Sequence, residues 1–308
     1  MRSPLPSPRE IERALRRLWP GRPLGRFRCD QTGWTNLVLE ADGRWIFRVP
    51  RWPGAARSLT REVRLLEVLG DHLTIRIPRP ELVGTLDDPR GWPFLAYRRL
   101  PGTPISRPGS LRSPDRDRLA RFIASLLSEL DDCPYGPLEE LSLRPGDPRS
   151  WVAGYRRLER RYRRVAAARL PASLDREISG LFREGMSVLA EARYRPTLIH
   201  SDLWPSHILW DSERHRPTGV IDWEDARFGD PAFDLTALGS FGPKLMRLLI
   251  AQRRSRKDDT FEQRLLFYRR ILPLHGLLFG IEAGKPLLVR AHLRQLRRSL
   301  SLPSSTAA

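Results

Sequence analysis

Over the first hundred residues the chain alternates short apolar runs with polar turns, and beyond them apolar positions return at helical spacing. Ser7-Pro8-Arg9-Glu10 is a capping box with proline at the first helical position, which predicts a helix over Pro8–Leu18. Strands are predicted at Arg26–Cys29, Leu37–Glu40 and Trp45–Val49, the last two joined by the tight turn Ala41-Asp42-Gly43. A helix follows at Leu59–Leu69, then strands at Leu82–Thr85 and Phe94–Arg99. This order, β-β-β-α-β-β, describes a five-stranded sheet carrying one helix. Pro101-Gly102 marks a chain reversal, and Pro104–Pro114 is a connection rich in Pro and Ser. Helices are then predicted at Ser113–Leu130, Pro148–Ala166, Ser173–Ala192, Pro231–Leu238, Pro243–Ile250, Thr260–Leu272, Pro273–Ile281 and Pro286–Leu300, before a frayed polar tail at Pro303–Ala308.

One stretch, residues 198–235, interrupts the helical part with chemistry. It reads Leu-Ile-His200-Ser-Asp202-Leu-Trp-Pro-Ser-His207-Ile-Leu-Trp, a polar turn, Gly-Val-Ile-Asp222-Trp-Glu, and Phe-Gly-Asp230-Pro-Ala-Phe-Asp234-Leu. Ile208–Trp210 and Gly219–Ile221 are short apolar runs around a charged turn and predict a β-hairpin. If Leu209 faces Val220, the constant sum of an antiparallel ladder makes His207 face Asp222, and the hairpin delivers Asp222 to the loop that carries Asp202. Two carboxylates and an imidazole then share a small volume. Like charges raise each other's pKa, and a divalent cation is the usual means of keeping both ionised. The competing reading is a surface hairpin with scattered acids.

These residues resemble the catalytic core of the aminoglycoside and macrolide phosphotransferases, small-molecule kinases with the protein-kinase fold. Their pattern, His-x-Asp-x-x-x-x-Asn or His, then Ile-Asp-[Phe/Trp]-[Glu/Gly], then Asp-Pro-x-x-Asp-Leu, is met in order and spacing by His200, Asp202, His207, Asp222, Asp230 and Asp234. The resemblance spans Phe27–Leu300 and implies an α+β, bilobal protein-kinase-like fold. Residues 1–100 would form the N-lobe, a five-stranded antiparallel sheet with one main helix. Residues 101–308 would form a mostly helical C-lobe with a catalytic hairpin.

The resemblance also implies roles. Asp202 would be the base, Asp222 and His207 would ligate Mg²⁺, and His200, Asp230 and Asp234 would support the loop, Asp230 by capping the helix after it. ATP or GTP would be the co-substrate. Gly33, in Gly33-Trp34-Thr35-Asn36, falls in the family's loop between the first two strands, although a single glycine makes a poor phosphate cradle. Arg48 takes the place of the lysine that holds nucleotide phosphates, and Glu62 fits the carboxylate paired with it. Arg98, Arg99 and Leu100 form the hinge expected to bind the purine through its backbone. Imidazole is a softer donor than the commoner Asn, so His207 leaves open an inactive nucleotide-binding pseudokinase. A zinc hydrolase built on His200, Asp202 and His207 would leave Arg48, Glu62 and the N-lobe unexplained.

Composition narrows the remaining classes. The formal charge of +18 invites a nucleic-acid partner, but the arginines are spread along the whole chain, lysine occurs only at 244, 257 and 285, and no nucleic-acid module accompanies them. The partners that the resemblance implies are a nucleotide and a hydroxylated small molecule. No apolar run reaches the roughly 18 residues of a membrane span, and Met-Arg-Ser-Pro-Leu-Pro lacks a secretory apolar region, so a cytoplasmic enzyme is expected. Cys29 and Cys133 are expected as reduced thiols. Two acceptor sites suggest themselves: an acidic one for polycations, at Glu129, Asp131, Asp132, Glu139 and Glu140, and an apolar one at Trp204 and Trp223 for a macrolide or another hydroxylated metabolite.

Overall fold

The computed structural model of the chain describes all residues except 1–5, 22–23, 31–32, 34, 87–90, 135, 142, 144–145, 254–257 and 304–308. The chain divides into two compact units, one built from 1–104, 134–142 and 207–224, the other from the remainder.

The first unit is a five-stranded antiparallel sheet in the order β1-β2-β3-β5-β4, with β1 Phe27–Asp30, β2 Asn36–Ala41, β3 Trp45–Pro50, β4 Pro80–Thr85 and β5 Pro93–Arg98. Strand alternation sorts its side chains. Leu37, Leu39, Trp45, Phe47, Val49 and Phe94 bury one face against α1, Pro8–Leu18, whose capping box forms as expected. The rings of Trp19 and Trp45 stand 4.9 Å apart there. The residue between Phe47 and Val49, Arg48, therefore points to the opposite face, toward α2, Pro53–His72. The hairpin β8, Ile208–Asp211, with β9, Arg216–Val220, belongs to this unit too and pairs with β6, Thr103–Pro104. A short helix, α4, Gly136–Glu139, completes it.

The second unit is helical: α3 Ser113–Asp131, α5 Pro148–Val165, α6 Ala172–Glu191, α7 Pro243–Gln252, α8 Phe261–Glu282 and α9 Pro286–Leu300. Its two strands, β7 Thr197–Ile199 and β10 Arg227–Gly229, pair antiparallel with Ile199 opposite Arg227. At its centre Asp230 and Arg264, both fully buried, form a two-point ion pair. Asp230 also accepts from the Tyr268 hydroxyl at 2.6 Å and from the Ala232 N–H at 2.9 Å. Arg264 reaches on to Asp258, whose carboxylate accepts from the Arg193 N–H at 2.7 Å. Burying a full charge is costly unless hydrogen bonds exhaust it, and this network meets that condition.

Four expectations change. The helix α2 begins at Pro53, earlier than the first apolar repeat at Leu59, because proline suits its first turn. The helix expected over Pro231–Leu238 is replaced by 3₁₀ turns at Phe233–Leu235 and Ala237–Phe241. There Asp230 and Asp234 are turned inward to accept hydrogen bonds, and that tertiary demand outweighs helix propensity. The expected break at Pro273 is absent. Buried Leu265, Tyr268 and Ile271 before it, and Leu274, Leu277 and Leu278 after it, hold α8 as one helix against a local cost of about 3 kcal/mol. In the hairpin, Val220 faces Ile208 rather than Leu209, a slip of one residue. Gly219 is pressed so closely on Arg76 that a Cβ would meet its carbonyl oxygen at 2.8 Å, and Asp211 pins the turn by accepting from the Glu213 and Arg214 N–H groups, both at 3.0 Å.

Removing one partner of the buried pair should cost far more than removing both. Arg264→Met is expected to lower unfolding stability by about 3–5 kcal/mol in urea titration, with part of the loss recovered by adding Asp230→Asn. Equal losses in single and double variants would show that the pair does not act as a unit.

Candidate active site

In the first unit the site is organised around one guanidinium. Arg48 Nη1 donates to Glu62 of α2 in a short contact, and its Nη2 donates to Asp222 Oδ1 at 3.0 Å and to Glu224 Oε2 at 2.9 Å. Arg48 and Glu62 are both buried, which sets this pair apart from an exposed ion pair of little energetic value. Burial alone would lower the Arg48 pKa, but the carboxylates of Glu62, Asp222 and Glu224 outweigh it and raise it, so Arg48 stays charged. Burial pushes the Glu62 pKa up to about 7 despite the opposing pull of Arg48. Its second oxygen is buried without a hydrogen-bond partner.

Asp222 follows β9 in a left-handed backbone conformation, φ 71°, rare for a residue with a side chain. The backbone turn sets its carboxylate between Arg48 on one oxygen and His207 on the other, with His207 Nε2 at 3.4 Å from Oδ2. The Ile221 N–H donates to the His207 carbonyl at 3.0 Å, which fixes the two segments despite the slipped register. Trp223 is fully buried, and its indole N–H donates to the Val220 carbonyl at 3.1 Å. It packs beneath the Asp222 turn and lines no acceptor site.

In the second unit the loop after β7 is shaped by Asp234. That buried carboxylate accepts from the His200 N–H at 2.8 Å and the Ser201 N–H at 2.7 Å, while burial pushes its pKa up to about 6. Ser201, φ 69°, turns the chain sharply. His200 is fully buried, and its Nδ1 accepts from the Asp202 N–H at 3.3 Å, a contact that organises the loop. Asp202 Oδ1 in turn accepts from the Trp204 indole N–H at 2.7 Å.

The other expected residues sit as follows. Gly33 is described, but Gln31, Thr32 and Trp34 of its loop lie outside the described residues. Arg98 lies over the Trp45 ring at 3.9 Å and pairs with Glu81 at 3.3 Å, while Arg99 pairs with Glu40 at 3.4 Å. Both side chains thus brace the sheet. Leu100 lies beside Gly219, where a Cβ would meet its Cδ1 at 3.2 Å, and the turn after it is tied by the Thr218 hydroxyl donating to the Pro101 carbonyl at 2.6 Å. In the expected acidic patch, Asp131 is buried in a two-point pair with Arg253. One participant, Glu224, was not foreseen. Glu224 accepts from Asn36 Nδ2 at 2.6 Å as well as from Arg48, and its carbonyl accepts from Arg61 at 3.0 Å. The available signal was the charge two residues beyond Asp222, at a motif position that takes Glu or Gly.

Comparison with known proteins agrees with this organisation. The sequence model of the phosphotransferase enzyme family matches residues 30–267. The viomycin phosphotransferase of Streptomyces vinaceus is 28% identical over 242 residues, covering 77% of this chain and 81% of the relative. A structure of APH(2")-IIIa with GDP and kanamycin superposes with a TM-score of 0.84 at 26% identity, covering 94% of this chain and 97% of that one. A macrolide 2'-phosphotransferase type I superposes with a TM-score of 0.73 at 20% identity, covering 96% and 98%, which extends the likeness of fold. Among the described residues no helix is long and apolar enough to cross a membrane.

The raised pKa of Glu62 has a definite sign in stability. The folded state retains its proton to about pH 7, whereas the unfolded chain releases it near 4.5, so the associated stabilisation is complete below pH 4.5 and lost as pH rises through 7. Glu62→Gln removes the titration. The melting temperature of the variant relative to the native chain should therefore climb between pH 5 and pH 8, and a difference constant across that range would mean that Glu62 is ionised throughout.

Proposed function

The chain belongs to the phosphotransferase enzyme family, and on that premise we propose that it moves the γ-phosphate of ATP or GTP to a hydroxyl of an antibiotic-like or other hydroxylated small molecule. The observation that carries the reading is Arg48, a buried, permanently charged fork held by Glu62 and directed toward Asp222. A guanidinium so held is suited to phosphate oxygens, and orienting phosphate is most of what a phosphoryl-transfer enzyme must do. The relatives point the same way: one carries viomycin phosphotransferase as its name, and another is solved with GDP and kanamycin.

In this reading the five-stranded unit holds the nucleotide, with the backbone around Arg98–Leu100 beside the base. Asp202 accepts the proton of the acceptor hydroxyl as its oxygen bonds to the γ-phosphorus and the nucleoside diphosphate leaves. Trp204, by donating to Asp202, fixes the rotamer of that carboxylate. His200 and Asp234 hold the loop in shape, so that the position of the base is set before substrate arrives. Asp222 and His207 are the residues that would hold Mg²⁺. One carboxylate and one imidazole leave most of an octahedral shell to water and phosphate, which suits an ion that keeps its waters. When bound, Mg²⁺ supplies neutralisation of phosphate charge.

Asp202→Asn keeps shape but removes the base. Turnover should fall about 10²–10⁴-fold with little change in nucleotide affinity. Asp222→Asn should weaken Mg²⁺-dependent nucleotide binding instead. Nucleotide with Mg²⁺ at about a hundred times its Kd should stabilise the native chain by about 2.7 kcal/mol, read as a rise in melting temperature. If neither ATP nor GTP raises it, and neither substitution alters phosphotransfer, the kinase reading fails.

A further inference from the structure

The helical unit contains a cavity of about 450 Å³ between the start of α5, strand β10 and the middle of α8. Trp151, Tyr155 and Phe233 supply aromatic walls, Arg157 and Arg227 supply charge, and His275 opens onto the cavity from α8. The Arg227 guanidinium lies 4.8 Å from the centre of the Trp151 ring and 5.6 Å from that of Phe233, so its plane is steadied by aromatic faces. The Trp151 indole N–H is buried with no acceptor in the structure, although Trp151 itself is more than nine-tenths buried.

Charge decides what that is. No carboxylate is among the residues that line the cavity. His275 stands at the exposed rim of the cavity, where the surrounding protein and the fields of Arg161 and Arg227 push its pKa down to about 4, so it is neutral at pH 7 and able to donate or accept a hydrogen bond. A polycation placed here would meet two guanidinium groups and no carboxylate among the lining residues. Asp131, in the acidic patch expected elsewhere in this unit, is already taken by Arg253.

The cavity is also placed to serve the catalytic loop. Arg227 lies opposite Ile199 in the β7–β10 ladder, and Asp202 is three residues beyond Ile199, at most about 11 Å of extended chain. The cavity's Arg227 is thus tied through the ladder to the segment that leads into the Asp202 loop.

We propose that this cavity holds the acceptor, and that the acceptor is a hydroxylated compound with a planar apolar part and an anionic group, not a polycation. The inference rests on the kinase reading for the fate of the hydroxyl, but binding is independent of it. Arg227, with Arg157, receives the anion in charge-assisted hydrogen bonds. Trp151 and Phe233 pack on the planar part.

Phenyl β-D-glucuronide and phenyl β-D-glucoside differ only in a carboxylate and make a matched pair of probes, with kanamycin as the polycation. Calorimetry on the full chain should show the glucuronide binding about ten-fold or more tightly than the glucoside. Arg227→Gln should abolish the difference, Arg227→Lys should retain part of it, and the exposed Arg157→Gln should reduce it without disturbing the fold. Each substitution changes a net charge of +18 by at most one, so general attraction of anions cannot account for such a loss. Equal affinity for the two glycosides, or a preference indifferent to Arg227, overturns the proposal, as does tighter binding of kanamycin. The two readings fail separately. Phosphate transferred to kanamycin, with no discrimination between the glycosides, would leave the kinase standing and remove the anionic acceptor. A glucuronide preference that depends on Arg227, with no phosphotransfer to any hydroxyl, would do the reverse.

Discussion

A guanidinium cannot be buried alone, and much of the first unit can be read as the solution to that constraint at Arg48. The residue is placed by strand alternation on the face of β3 turned away from the aromatic core, where Glu62 of α2 meets it. Asp222 and Glu224, distant in sequence, complete its hydrogen bonding from the segment beyond β9. Two separate pieces of chain are thereby tied to one side chain on a third. Removing that side chain would leave carboxylates facing one another, with repulsion where there is now a rigid fork. The cost of burial and the capacity proposed above, to hold phosphate, would come from the same group.

The second unit solves a related problem with acids. Asp230 and Asp234, four residues apart, are both withdrawn from water, yet they are satisfied differently. Asp230 meets a buried arginine and a tyrosine hydroxyl, a fixed frame that joins the β10 end to α8. Asp234 meets two backbone N–H groups and so holds the loop of Asp202 through its main chain. Main-chain contacts leave the loop's side chains available for chemistry. The stretch that follows Asp230 is 3₁₀ rather than α-helical, at Phe233–Leu235 and Ala237–Phe241.

Much of this was legible in the residues alone. Caps, alternation and turn residues located α1, β2, β3 and α9 to within a residue or so, since those signals are local. The compound pattern from His200 to Asp234 likewise marked the two loops, because phosphoryl chemistry restricts residue types at short spacing. What escaped was set by long-range packing. No local signal tells that Pro273 will be carried within a helix by the apolar residues on either side of it. The one-residue slip of the hairpin depends on Gly219 meeting Arg76, far away in sequence. Arg264 reads as one more arginine in a chain full of them, and only the fold shows it to be buried. Glu224 was visible as a motif position but not as a partner of Asn36 and Arg48. Trp223, equally, could have faced a ligand, and its indole proved to be committed to the backbone.

The hydrogen bond from Trp204 to Asp202 has an optical consequence. Trp204 is 39% exposed, whereas Trp45, Trp92, Trp151, Trp210 and Trp223 are all buried, so together with Trp52, 38% exposed, it contributes to the red, water-sensitive edge of the emission. Its N–H is fastened to the carboxylate that would take up a proton in the reaction. An indole bonded to an anion and an indole released to water emit with different colour and yield. The chain therefore carries an intrinsic fluorophore bonded to Asp202, able to report a change at that carboxylate without any added label.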